Sequence, residues 1–169
     1  MRIRVCIAAL LAVFLAVGST CSILEMTPPI RGLPLANLRD TFEEVHSGIR
    51  HEAIDIMEPR GTPVLAVVSG TVRKLFLSKP GGNTIYLFDK MEKYCYYYAH
   101  LDRYVEGLRE GMRVERGDVI GFVGSTGNAD PRTPHLHFAI FELGPERQWW
   151  KGKAVDPYPG LEAAVKRAK

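Results

Sequence analysis

Two imidazoles separated by a single leucine, His135-Leu136-His137, sit in the stretch TPHLHFAIFE (133–142). In an extended strand, residues two apart project to the same side, so this spacing places both rings on one face. Leu136, Phe138 and Ile140 then share the other face, the alternation of a half-buried strand. An isolated pair of this kind is a weak signal, because buried histidines are often satisfied by backbone carbonyls and do no chemistry. A second segment built the same way strengthens it. In HEAID (51–55), a strand would turn His51, Ala53 and Asp55 to one face, with Ile54 and Ile56 packed behind. Imidazole and carboxylate are good ligands for first-row metals. Two His and one Asp with a place left for water is the pattern of a catalytic zinc site, whereas a closed structural site needs a fourth ligand. His100 ends a third β-like run, YCYYYAHL (94–101), where strand alternation puts Tyr96 and Tyr98 on its own face. His46 is expected to be an exposed loop residue.

Two other metal templates fail on these letters. HEAID begins like the helical H-E-x-x-H motif, but its fifth residue is Asp, and the β-favouring surroundings put Glu52 opposite His51. HLHFAIFE has the cupin spacing H-x-H-x4-E with Glu142 in third place, yet no histidine follows His137 to complete such a set.

The elements that must hold these residues are short strands. From Thr41 onward, apolar runs such as PVLAVV, TVRKLFL, NTIYLF and VIGFVG alternate with glycine-bearing turns, and helical period appears only in LEAAVKRAK at the end. This predicts an all-β core of short antiparallel strands. Two stretches, GTPVLAVVSGTV (61–72) and EGMRVERGDVIGFVG (110–124), resemble each other and look like the barrel-sandwich hairpins of biotinyl and lipoyl carrier domains. A carrier needs a lysine in a Met-Lys or Asp-Lys-Ala tip, which neither stretch has. Residues 22–40 are rich in Pro and Leu without sustained period, and are expected to form a linker or an arm laid on the domain.

Residues 1–20 have the grammar of a secretory signal: a basic MRIR, an apolar run of fourteen residues, then small residues. Cleavage before Ser19 and a lipoprotein signal ending at Cys21, which would anchor the protein to a membrane, both remain open. Either way the protein is expected to be exported. Of three cysteines, Cys6 leaves with the signal and Cys21 is lipidated, lost or left in the arm, so Cys95 is expected to be an unpaired buried thiol. The formal charge of +3 falls to +1 once Arg2 and Arg4 are set aside, which argues against a nucleic-acid partner. The remainder is the size of one domain. It is expected over 41–160, followed by a short basic C-terminal tail at 161–169.

At this point the chain resembles the lysostaphin-type, or LytM-type, zinc endopeptidases of bacterial cell walls. The resemblance covers roughly residues 41–160. It rests on HEAIDIMEPRGTPVLA, YAHL and GSTGNADPRTPHLHF, which are similar to the family's three motifs in order and separation. It implies a single-domain antiparallel β-sandwich with an active-site groove over one sheet. It further implies one Zn²⁺ per chain on His51, Asp55 and His137, with His100 and His135 as non-ligand catalytic histidines. The implied activity is hydrolysis of amide bonds in peptidoglycan peptides, in the bacterial periplasm or cell envelope. A second reading, a non-catalytic relative that activates a cell-wall amidase, is opposed by the presence of all five residues. Ala53 stands where the family usually has Gly, and Ala139 where a Glu often follows HLHF. Asn83 resembles a family Gly-Asn turn and is expected to be structural. Trp149 and Trp150 are open to a substrate, core or rim role.

Overall fold

The computed structural model describes residues 25–46 and 48–168. The leader and Cys21 lie outside the described residues. Among those described, the strands are β1 (Val45–His46), β2 (Ile49–Arg50), β3 (Ile54–Met57), β4 (Pro63–Leu65), β5 (Gly70–Ser78) and β6 (Gly82–Asp89). They continue with β7 (Tyr94–Tyr104), β8 (Arg113–Val114), β9 (Val119–Val123), β10 (His135–Leu143) and β11 (Gly152–Val155), and one helix, α1 (Tyr158–Arg167), follows. β1 and β2 form a small hairpin of their own, so His46 falls in a strand rather than a loop. The other nine strands form one large open sheet in the order β11-β10-β7-β6-β5-β8, with β3 on β10, β9 on β7 and β4 on β9. The pairs are all antiparallel. The all-β antiparallel class expected from the short apolar runs is the one observed.

The long strand β7 organises the sheet. Its first half, Tyr94–Ala99, lies between β6 and β10, and its second half, Leu101–Tyr104, pairs with β9. Alternation sends Tyr96 and Tyr98 of β7, and Leu136, Phe138 and Ile140 of β10, to the inward face, where all five are fully buried. There they meet Ile54, Ile56, Val64, Ile85, Leu87 and Ile120 in one core. Cys95 is buried and unpaired, as its surroundings led one to expect. Burial pushes its thiol far above the usual range, so it carries no thiolate reactivity.

Both ends of the described chain close this core. Met26, Ile30, Leu33 and Leu38 are buried in it, and the arm is stitched on by Thr27 N–H to the Val67 carbonyl and Leu65 N–H to the Pro29 carbonyl. Helix α1 buries Leu161, Ala164 and Val165, the i, i+3, i+4 stripe of an amphipathic helix, and keeps Lys166 and Arg167 in its last turn, where cations suit the helix dipole. No described helix is long and apolar enough to cross a membrane.

Candidate metal centre

The register between β3 and β10 sets Asp55 directly opposite His137, and Met57 opposite His135. Both side chains of the first pair therefore project from the outward face at the same level. His51 reaches them by a different route from the one its spacing suggests. β3 begins only at Ile54, and Glu52 adopts φ 54°, in the left-handed region that non-glycine residues seldom occupy. That turn breaks the expected alternation between His51 and Asp55, and Ala53 between them is fully buried. His51 is nevertheless swung over Asp55.

Three ligand atoms converge: His51 Nε2 lies 3.1 Å from His137 Nδ1 and 3.2 Å from Asp55 Oδ1, and the latter two are 3.1 Å apart. A tetrahedral zinc with bonds of about 2.0–2.1 Å needs ligand atoms about 3.3 Å apart, so this triangle suits such an ion with slight spreading. Among the described residues this trio is the group of His, Cys and acidic side chains able to hold a metal. Asp55 loses hydration on burial, but bonds from His137 and His51 outweigh that cost and hold its carboxyl well below the usual range. His51 is raised, chiefly by its bond to Asp55.

Thr41 braces the site, a role its sequence did not announce. Its carbonyl accepts from His51 Nδ1 at 3.0 Å, which fixes the ring with Nε2 aimed at the cluster. Its hydroxyl donates to the Ala53 carbonyl and accepts from the Asp55 backbone N–H, each at 3.1 Å.

The other two histidines are oriented in the same manner. His100 Nδ1 donates to the Thr126 carbonyl at 2.9 Å, and His135 Nδ1 donates to the Thr133 carbonyl at 2.8 Å. In each ring Nε2 is the atom left to exchange a proton. The His135 Nε2 lies 3.9 Å from Asp55 Oδ2. The His100 ring sits 4.9 Å from that of His135 and 5.5 Å from that of His137, centroid to centroid. Burial, reinforced by His137 and His135 and opposed by the Thr126 carbonyl, pulls the His100 pKa down to about 4, so its imidazole is neutral at ordinary pH. The structure thus gathers all five expected residues on one face.

His100 gets there through a bulge. Between the Asn83–Leu101 and Ile85–Tyr98 pairs, β7 has two residues where β6 has one. His100 takes φ 58°, which reverses the strand's parity. Simple alternation would bury His100 with Tyr96 and Tyr98; the bulge sends it outward instead. Two loops hold the bulge in place. His100 N–H donates to Gly81, Thr126 Oγ1 bridges Asn83 N–H and the Leu101 carbonyl, and Asn83 Nδ2 donates to the Leu101 and Asp102 carbonyls. A Cβ on Gly127 would lie 2.3 Å from the Pro80 carbonyl, so only glycine allows these loops to meet. Asn83 is structural, as expected.

Residues 49–157 match the sequence profile described as Peptidase family M23. The chain is 36% identical over 118 residues to an L-Ala--D-Glu endopeptidase of Bacillus subtilis (strain 168), covering 67% of this chain and 35% of that protein. It is 31% identical to the peptidoglycan DD-endopeptidase ShyC of Vibrio cholerae, over 64% of this chain and 26% of that one. It therefore spans about a third or less of these relatives' length. The crystallised catalytic domain of the antimicrobial peptidase lysostaphin from Staphylococcus simulans superposes with a TM-score of 0.62 at 30% identity, covering 76% of this chain and 95% of that one.

Proposed function

The chain belongs to peptidase family M23, and on that premise we propose that it is an exported, zinc-dependent endopeptidase that hydrolyses amide bonds in peptidoglycan peptides. The observation that supports this reading most directly is the convergence of His51 Nε2, Asp55 Oδ1 and His137 Nδ1 within 3.2 Å of one another, beneath two further imidazoles that are not in the triangle. A zinc ion held by these three atoms would supply Lewis acidity toward the scissile carbonyl and lower the pKa of the attacking water.

The chain's own residues account for the proton transfers. His100 is neutral, with Nδ1–H pinned to a carbonyl, so Nε2 offers a lone pair to the water or, once protonated, a donor to the developing oxyanion. His135, pinned the same way with its ring 4.9 Å from that of His100, can deliver a proton to the leaving amine through Nε2. Since both rings are fixed by backbone carbonyls, neither must reorganise during the reaction.

Purified muropeptides incubated with the zinc-loaded protein, with products mapped by mass spectrometry, test this reading. New amine and carboxyl ends at one peptide bond are expected. Intact muropeptides, together with stimulation of an added cell-wall amidase, would overturn it in favour of a regulator.

A further inference from the structure

The outward face of the sheet does not stop at the metal cluster. On β10, Ala139 and Phe141 follow His137 at strand spacing, and Tyr97 of β7 stands across from Ala139, with Tyr86 of β6 across from Tyr97. The Tyr97 ring lies 6.0 Å from that of His137 and 4.8 Å from that of Tyr86. The connection between β10 and β11 then folds back over this row. Trp149 packs edge-on against Tyr86 at 4.7 Å, and Trp150 against Trp149 at 5.3 Å, while Trp150 stays 63% exposed. Close packing at the start of β11 needs Gly152, where a Cβ would lie 2.7 Å from that of Phe141. Between these elements is an open cleft of about 420 Å³ lined by Tyr86, Tyr97, Phe141, Trp149, Trp150 and Lys151. An exposed indole over an aromatic floor beside a reaction centre has the composition of a ligand site.

We infer that this cleft is a sugar subsite, which stacks an amino-sugar ring of the glycan strand on Trp150 and its neighbours while Lys151 donates to the sugar's oxygens. The inference rests on the peptidoglycan reading above. Stem peptides built from alanine, glutamate and a diamino acid carry no ring and little apolar surface to match such a lining. The pyranose is the component of the strand that is stiff, flat and edged with C–H bonds, which suit the negative face of an aromatic ring. Ammonium donors at the rim complement its hydroxyl and acetamido oxygens. Spacing agrees: four residues of β10 separate His137 from Phe141, about 13 Å at about 3.3 Å per residue. The lactyl link and two or three stem residues cover that distance at about 3.5 Å each. A sugar in the cleft therefore brings one of the first peptide bonds of its stem to the metal cluster.

The chain's two tryptophans both line the cleft, so tryptophan emission reports on this site. The purified protein is titrated with the peptide-free disaccharide N-acetylglucosaminyl-N-acetylmuramic acid, and separately with a sugar-free tetrapeptide stem. A saturable emission change with the disaccharide is expected. W150A, which removes an exposed side chain and keeps Trp149 as reporter, should weaken it at least tenfold, and K151A, which keeps both indoles, should weaken it severalfold. No response to the disaccharide, a response unchanged in both variants, or a response to the stem alone would overturn the subsite. Disaccharide binding without muropeptide hydrolysis would leave the subsite standing and remove the peptidase reading; hydrolysis without disaccharide binding would do the reverse.

Discussion

Thr41 and Asp55, fourteen residues apart, are joined by a 3.1 Å bond from the Asp55 backbone N–H to the Thr41 hydroxyl. The same residue holds His51 through its carbonyl, so one threonine aligns two of the three candidate ligands. Replacing it with Val keeps the shape and the carbonyl but leaves the Asp55 N–H without its acceptor. Zinc affinity, measured by chelator competition, should fall at least tenfold in T41V and return to near the parental value in T41S. Equal affinities in all three proteins would remove Thr41 from the metal centre.

The division of labour among the histidines predicts two classes of variant. His137→Ala and Asp55→Ala should lose metal by elemental analysis. His100→Ala and His135→Ala should keep it and lose about 10²- to 10⁴-fold in muropeptide turnover. Zinc lost from the second pair along with activity would show that the ligand set is drawn wrongly.

His100 also predicts how the metal-free protein responds to acid. Its folded pKa of about 4 lies below the ordinary 6.5 because burial disfavours the charged ring. Between these values the unfolded chain takes up a proton that the folded chain refuses. This contribution is therefore fully present above pH 6.5 and is lost progressively as pH falls to about 4. Its size is about 3 kcal/mol at about 1.4 kcal/mol per pH unit. Urea unfolding across that range should show a steeper loss in the parent than in His100→Gln, and parallel slopes would refute the assignment.

The arm makes a prediction of stability without chemistry. Leu33 is buried in the main core, so Leu33→Ala should cost about 2–5 kcal/mol of unfolding free energy. Zinc affinity at temperatures where the variant is folded should be unchanged, because the arm's contact with the site runs through Thr41. A Leu33→Ala protein as stable as the parent would mean that the arm is only tethered.

Strand alternation made part of this site legible. His135 and His137 lie in an uninterrupted strand with Leu136, Phe138 and Ile140 behind them, so spacing alone put them on the right face. It misdirected wherever one residue left the β region. Glu52 takes a positive φ between His51 and Asp55, and the turn of φ at His100 separates it from Tyr96 and Tyr98; neither is a glycine that would have marked the place. Thr41 could not be singled out either, because its partners lie ten to fourteen residues away and one of its bonds uses a carbonyl, which every residue has. The double tryptophan was visible, but its use depends on a hairpin that lays it beside Tyr97 and Tyr86.

The contact between Arg167 and the carbonyl of Met26, 3.1 Å across 141 positions of sequence, ties the last helix to the first described segment. On the ribosome Met26 is made 141 residues before Arg167. Met26, Ile30 and Leu33 emerge early and must wait for α1 before the core they enter can close. A chain with contacts this distant in sequence is slow to fold and stays open during elongation.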